Sequence, residues 1–272
     1  MPATEFLAGV RIVTIAQYVP GPLAVARLRK AGARVTKIEP PAGDPLLAVA
    51  PAWYAELHAG ISVERLDLKS EPGKDRTSTL LRDADVFITS QRPSTLARLA
   101  LDPDTLRERF PRFRILRILG SASDPERPGH DLTYQAQSGL LADAMPRTLA
   151  ADVMASERAF AGTLTLLRQP HGSMIDVGIL ESLDPLLAPL RHGVTTPGGP
   201  LGGAAPQYRL YPAKTGHIAV AALEPHFETR LYQELDLPKA SDPSSRFLER
   251  SAAEWDAWAR DRDLPIVAVA AT

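Results

Sequence analysis

Strand-like and helix-like runs alternate from the start of this sequence, and that alternation restricts the fold more than any single motif does. Residues 10–15, VRIVTI, form a short β-branched run between Gly9 and the turn Val19-Pro20-Gly21-Pro22, the signature of a buried strand. The next segment, PLAVARLRKAGA, carries Leu23, Ala26 and Leu28 on helical spacing, with Pro22 suited to the first turn and Gly32 placed to stop it. RVTKIE, ended by Pro40-Pro41, is a second strand. Strand, helix and strand in such a short span form a βαβ unit, whose two strands lie parallel in one sheet. The pattern continues through strand-like ISVERLDL from Ile61, helix-like GKDRTSTLLRDA from Gly73 and strand-like DVFITS from Asp85. Two short helices, over 94–99 and 103–109, lead to the β-rich FRILRIL from Phe113. The expected fold is α/β, a doubly wound parallel sheet with its ligand at the carboxyl ends of the strands.

The texture changes from Asp131. Helices are expected over 132–145 and 153–167, then a strand in SMIDVG from Ser173 and a helix in ILESLDPLLAPLRH. The glycine- and proline-rich TTPGGPLGGAAP reads as a loop or linker. Beyond it lie a hairpin-like pair of strands turning at Thr215-Gly216, a helix from Pro225, the short amphipathic helix WDAWARDR and a last strand-like piece, LPIVAV. The expected organisation is a large α/β domain over residues 1–195 and a smaller α+β domain over 196–272.

Composition excludes several classes. The chain has no cysteine, which removes disulfides, thiolate metal sites and cysteine nucleophiles, and no metal centre is expected. A formal net charge of −1 leaves no basic excess for nucleic acid. No run approaches the length of a membrane span, and MPATEFLAG has no basic-then-apolar leader pattern. The cytoplasm is the expected compartment. Glu39 ends the second strand, where a dinucleotide-binding protein holds an acidic residue, but Tyr-Val-Pro-Gly-Pro lacks the G-x-G-x-x-G turn that pyrophosphate requires.

Three residues stand out as carriers of chemistry. His130 lies between Gly129 and Asp131, near the expected mouth of the sheet; it is either a turn or core histidine or a proton donor and acceptor near neutrality. Asp152 falls at an expected helix start, where an aspartate caps free N–H groups and where helix N-termini also favour a developing oxyanion. Glu224 ends IAVAALE before Pro225; it is either a solvated carboxylate or the partner that orients a histidine. Gly198, Gly199, Gly202 and Gly203 make a flexible connector or a lid. The cluster Arg107, Arg109, Arg112, Arg114 and Arg117 is either a solvated face or a receptor for a phosphorylated ligand.

In this order, the opening LAGVRIVTIAQYVPGPLAVARLRKAGARVTKIEPPAGDPL, LDLKSEPGK, ADVFITSQRPSTLARLAL, RPGHDLTYQAQSGLL, IDVGILESL and YRLYPAKTGHIAVAALEPHF resemble the family III CoA-transferases and their relatives the α-methylacyl-CoA racemases. The likeness covers nearly the whole chain. It implies an acyl-CoA substrate, with coenzyme A entering as part of the substrate and no permanently bound cofactor, and a role in lipid metabolism. In the racemases a histidine and an aspartate exchange the α-proton of a 2-methylacyl-CoA through an enolate. His130 and Asp152 match that pair, and Glu224 matches the glutamate that supports the histidine. In the transferases an aspartate attacks the thioester to give a mixed anhydride and then a thioester on the enzyme; Asp152 matches it, while a non-histidine residue is common where His130 stands. The racemase assignment is therefore the leading expectation, with the transferase as alternative. Tyr18, Val19, Lys69, Arg92 and Arg98 match or neighbour CoA-holding positions, and Pro40 replaces a basic residue after the second strand.

Departures from the family pattern include GSASDPE in place of a "G-F-G" stretch and a shortened segment between Gly139 and Asp152. The resemblance implies a homodimer. The interlinked form of that dimer depends on a C-terminal segment returning from the small domain to the large one, which this chain is expected to lack. A third reading, a shortened inactive CoA-binding paralogue, follows from that expectation.

Overall fold

The computed structural model describes residues 5–141 and 144–270; residues 1–4, residues 142–143 of the expected helix 132–145, and residues 271–272 lie outside it. The chain divides into two units, Met1–Pro185 and Leu186–Thr272.

The first unit is built on six strands: β1 (Arg11–Thr14), β2 (Arg34–Glu39), β3 (Ser62–Arg65), β4 (Val86–Thr89), β5 (Arg114–Leu119) and β6 (Met174–Gly178). All pair in parallel in the order β3-β2-β1-β4-β5-β6. This is the doubly wound arrangement expected from the alternation, and every expected strand is present. The order reverses between β1 and β4, so the crevice at their carboxyl ends is the natural ligand position. The helices between them are α1 (Pro20–Lys30), α2 (Pro45–Val49), α3 (Pro51–Leu57), α4 (Glu71–Arg82), α5 (Pro93–Arg98), α6 (Pro103–Arg109), α7 (Asp131–Ser138) and α8 (Ala150–Arg168); α9 (Ile179–Ser182) follows β6. One core, including Val13, Ile38, Phe87 and Ile115, lies on one side of the sheet under α4 to α6.

Sequence chemistry explains the helix boundaries that shape the site. Proline opens α1, and Gly21 follows because a Cβ there would stand 2.2 Å from Ala16 Cβ; the Pro-Gly-Pro turn is what lets α1 start so close to β1. Ala151, Ala155 and Ala159 are fully buried along α8, where their small side chains permit close helix packing. Helix α7 is shorter than expected: Leu140 and Leu141 continue its apolar pattern, but Gly139 adopts a left-handed conformation (φ +81°) and ends it.

Helix α10 (Asp184–Arg191) carries the chain out of the first unit. The second unit contains β7 (Tyr208–Pro212), β8 (His217–Ala221), α11 (Pro225–Glu234), α12 (Ser244–Phe247), α13 (Ala252–Arg260) and β9 (Ile266–Ala268). Its strands form an antiparallel sheet in the order β7-β8-β9, with the expected turn at Thr215-Gly216. Tyr211, Phe247, Trp255 and Trp258 pack in its core, and the Trp255 indole N–H donates to the Phe247 carbonyl (2.8 Å). The glycine-rich stretch folds on itself, Leu201 N–H donating to Val194 O (2.8 Å), and Arg209 of β7 grips Gly203 O (2.7 Å) and Ala204 O (3.2 Å). Those bonds attach it to the second unit, ten residues of which precede the boundary expected at 195/196.

Candidate active site

A cleft of about 510 Å³ opens at the carboxyl ends of β1, β4, β5 and β6, and Tyr18, Arg92, Arg98, His130, Tyr134 and Asp152 all line it. Three of these, Tyr18, Arg92 and His130, come from loops after β1, β4 and β5, and three, Arg98, Tyr134 and Asp152, from α5, α7 and α8. Residues far apart in sequence are thus joined at the point where the strand order reverses.

His130 stands in extended backbone immediately before α7 (φ −139°, ψ 169°). Its backbone N–H donates to Thr133 Oγ1 (3.0 Å), and Thr133 Oγ1 donates back to its carbonyl (2.8 Å). This anchors the backbone and leaves the imidazole exposed toward the cleft, edge-on to the Tyr18 ring at 5.3 Å. Tyr18 is held in the left-handed region (φ +65°), a conformation that costs a non-glycine residue about 1–3 kcal/mol and collects at functional sites. The restraint is the Tyr18 N–H donating to Asp44 Oδ1 (3.1 Å). Gln17 N–H meanwhile donates to Ser90 Oγ (3.1 Å), binding the turn after β1 to the turn after β4.

Asp152 is the third residue of α8, inside the first turn instead of at the cap, which is Leu149. It is 9 % exposed. Burial, and then the neighbouring Asp131 carboxylate, push its carboxyl up from 3.8 to about 7. Asp131, itself buried, accepts the Asp152 backbone N–H at Oδ1 (3.0 Å) and the Gln135 amide at Oδ2 (2.6 Å). The same Gln135 nitrogen donates to Thr148 O (3.0 Å). The shortened segment between Gly139 and Asp152 is therefore closed by two ties to α7. Tyr134 lies beneath: a Cβ at Gly129 would stand 2.6 Å from its hydroxyl, so the glycine before His130 is sterically required. Burial raises the Tyr134 phenol, Asp152 adds to this, and Arg92 and Arg127 oppose it.

A smaller cleft of about 230 Å³ sits beside the first, at the carboxyl ends of β1 to β3, and holds Lys69 together with the apolar Ile15, Ile38 and Leu66. Gln17 and Gln91 line both clefts.

Not every candidate lines a cleft. The Val19 side chain is buried with Ala26, Leu46 and Leu57 and lines neither cleft. Glu224 precedes α11 in the second unit and is exposed. The arginine cluster is structural where its partners are defined. Arg114 donates twice to Gln169 O, Arg117 makes a bidentate pair with Asp176 (2.7 and 2.6 Å), Arg107 pairs with Asp104 and Arg109 donates to Ser78.

Glu39 is also not a ribose ligand. It is fully buried in a cluster with Lys37, Asp44, Tyr54 and His58. The Lys37 ammonium lies 2.5 Å from Asp44 Oδ2, 3.0 Å from Glu39 Oε1 and 2.8 Å from His58 Nε2. An ammonium can only donate, so Nε2 accepts and Nδ1–H donates to Tyr54 O (2.7 Å). Burial, more than the nearby Lys37 charge, lowers the His58 pKa and keeps the ring neutral. Glu39, Asp44 and His58 present ligand atoms within 4.8 Å of one another, as a metal site would, but Lys37 already occupies the cation position among them.

A doubly wound scaffold with a buried, protonatable carboxylate and a histidine at its switch point defines a ligand-binding protein equipped for proton transfer or nucleophilic attack. The chain belongs to CoA-transferase family III, whose model matches residues 7–266. It is similar to a CaiB/baiF CoA-transferase family protein of Caenorhabditis elegans, 27% identical over 92% of this chain and 82% of that protein. The cinnamoyl-CoA:phenyllactate CoA-transferase of Clostridium sporogenes is 33% identical over 50% of this chain and 37% of that enzyme. The α-methylacyl-CoA racemase of Mus musculus is 29% identical over 92% of this chain and 68% of that enzyme. The fold matches the crystal structure of a hypothetical protein from Mycobacterium tuberculosis with a TM-score of 0.82 and 22% identity, over 100% of this chain and 85% of that one. Among the described residues, no helix is long and apolar enough to cross a membrane.

Proposed function

We propose that the protein epimerises the α-carbon of a 2-methylacyl-CoA, with His130 and Asp152 as the two proton carriers. The observation that carries this reading is the environment of Asp152: a carboxyl pushed to about 7, opening onto the same cleft as an exposed imidazole. A group that is half protonated near neutrality both takes and gives a proton efficiently. One residue removes the α-proton, the thioester carbonyl becomes an enolate, and the other residue delivers a proton to the opposite face. The N-terminus of α7, directly after His130, offers positive potential to the enolate oxygen. Coenzyme A arrives as part of the substrate; the smaller cleft suits its nucleotide, with Lys69 beside it and Arg92 and Arg98 toward the reacting end. The similarity to the mouse racemase over most of the chain agrees with this reading.

The second reading is a CoA-transferase in which Asp152 attacks the thioester. Its support is the Clostridium sporogenes relative and the same carboxyl, since a high pKa also makes a carboxylate a stronger nucleophile. Incubating the protein with a 2-methylacyl-CoA in deuterated water separates the two. Epimerisation incorporates α-deuterium, and His130→Ala and Asp152→Asn each lower that rate by about 10²–10⁴-fold. Hydroxylamine capture at Asp152 together with full activity in His130→Ala overturns epimerisation in favour of transfer.

A further inference from the structure

We propose that Asp131 is a positioning residue for Asp152, a buried anion that seats the first turn of α8 while Gln135 locks it to the preceding loop. The geometry is specific. One Asp131 oxygen takes the Asp152 N–H (3.0 Å), the other takes the Gln135 amide (2.6 Å), and Gln135 reaches on to Thr148 O (3.0 Å). Asp131 itself is 4 % exposed and absent from the lining of the cleft, so it acts through Asp152 and not on a ligand. It is also the residue after His130, so one short segment serves both proton carriers: the His130 backbone is anchored through Thr133, and the Asp131 side chain seats the helix turn that carries the Asp152 carboxyl.

Capping alone would be served by serine, asparagine or threonine. A full negative charge in this place does something more, since like charges at close range cannot both ionise freely. Asp152 shares its cleft with Tyr134 from α7, Arg127 and His130 from the loop before it, Arg92 and Arg98 after β4, and Tyr18 after β1, while Asp131 binds its backbone N–H from outside the lining. Burial first and Asp131 second raise the Asp152 carboxyl. Asp131 therefore adds to burial in keeping Asp152 able to hold a proton near neutral pH. This inference adds to the proton-carrier reading of Asp152, yet it can be tested without turnover.

The experiment is a carboxyl ¹³C NMR titration of protein labelled at aspartate Cγ, with the Asp152 resonance identified by its loss in Asp152→Asn. In the wild type that resonance should titrate at about 7. Asp131→Asn should lower its midpoint by about one pH unit or more, and Asp131→Ser should do the same with a hydroxyl still accepting the Asp152 N–H. Gln135→Leu, which removes the lock and keeps the charge, should leave the midpoint near the wild-type value. An unmoved midpoint in both Asp131 variants overturns the proposal, as does an equal fall in Gln135→Leu. A lowered midpoint in a protein that exchanges no α-proton upholds the role of Asp131 and removes the epimerase reading instead.

Discussion

Two groups of buried carboxylates in the first unit make opposite electrostatic choices. Around Lys37, two acids share one ammonium held at 2.5 to 3.0 Å, with a neutral His58 completing its coordination and Tyr54 donating to Glu39. Around Asp152, two acids lie side by side; hydrogen bonds satisfy Asp131, but no cation is paired with either among the described contacts. A buried charge without a counter-charge is expensive, and proteins retain that cost where the shifted titration is used. The cluster held by a cation is a brace, and the unbalanced pair, without one, is the candidate site. Asp44 connects them, because the carboxylate that binds Lys37 also holds the strained Tyr18 backbone beside His130.

The contrast can be broken from either side. The largest effect should come from Lys37→Met, which strands Glu39 and Asp44 without their cation; denaturant unfolding should show a loss of about 3–5 kcal/mol. Asp152→Asn should do the reverse. A carboxyl raised from 3.8 to about 7 stabilises the fold only while protonated, so the wild type should match the variant below pH 4. It should then fall behind as pH rises through 7, by at most about 4 kcal/mol at ~1.36 kcal/mol per pH unit. Tyr18→Gly should raise stability by about 1 kcal/mol, since glycine adopts φ +65° without strain, while α-proton exchange falls because His130 loses its ring neighbour. Arg65→Gln should change unfolding by less than about 1 kcal/mol: Arg65 reaches Glu39 only at 3.9 Å and is half exposed, so it belongs to the rim of the brace.

The scaffold was legible because β-branched runs and proline–glycine punctuation mark parallel strands locally. His130 and Asp152 were legible for a similar reason, each sitting at a loop-to-helix junction that the turn residues announce. What escaped was non-local. The brace joins Lys37, Glu39, Asp44 and His58, and half of it depends on α2 and α3, two short proline-opened helices whose sequences, PLLAV and PAWYAEL, are too brief to show periodicity. Asp131 escaped because an acid in a first helical turn looks like an ordinary dipole partner; its bond to Asp152 spans 21 positions. A signal existed in the pairing of Asp131 with Gln135, two polar residues four apart whose shared face turns out to be buried. Val19 shows the opposite error, a turn residue whose neighbours reach the cleft while its own side chain points into the core.

The most direct test of the contrast is the pH dependence of α-proton exchange on a 2-methylacyl-CoA in deuterated water, compared between the wild type and Asp131→Asn. The wild-type rate should follow a group with a midpoint near 7, and the variant's limb should move to lower pH. A rate governed by a carboxylate near 4 in the wild type, identical in the variant, would contradict the view that the unbalanced pair exists to carry a proton.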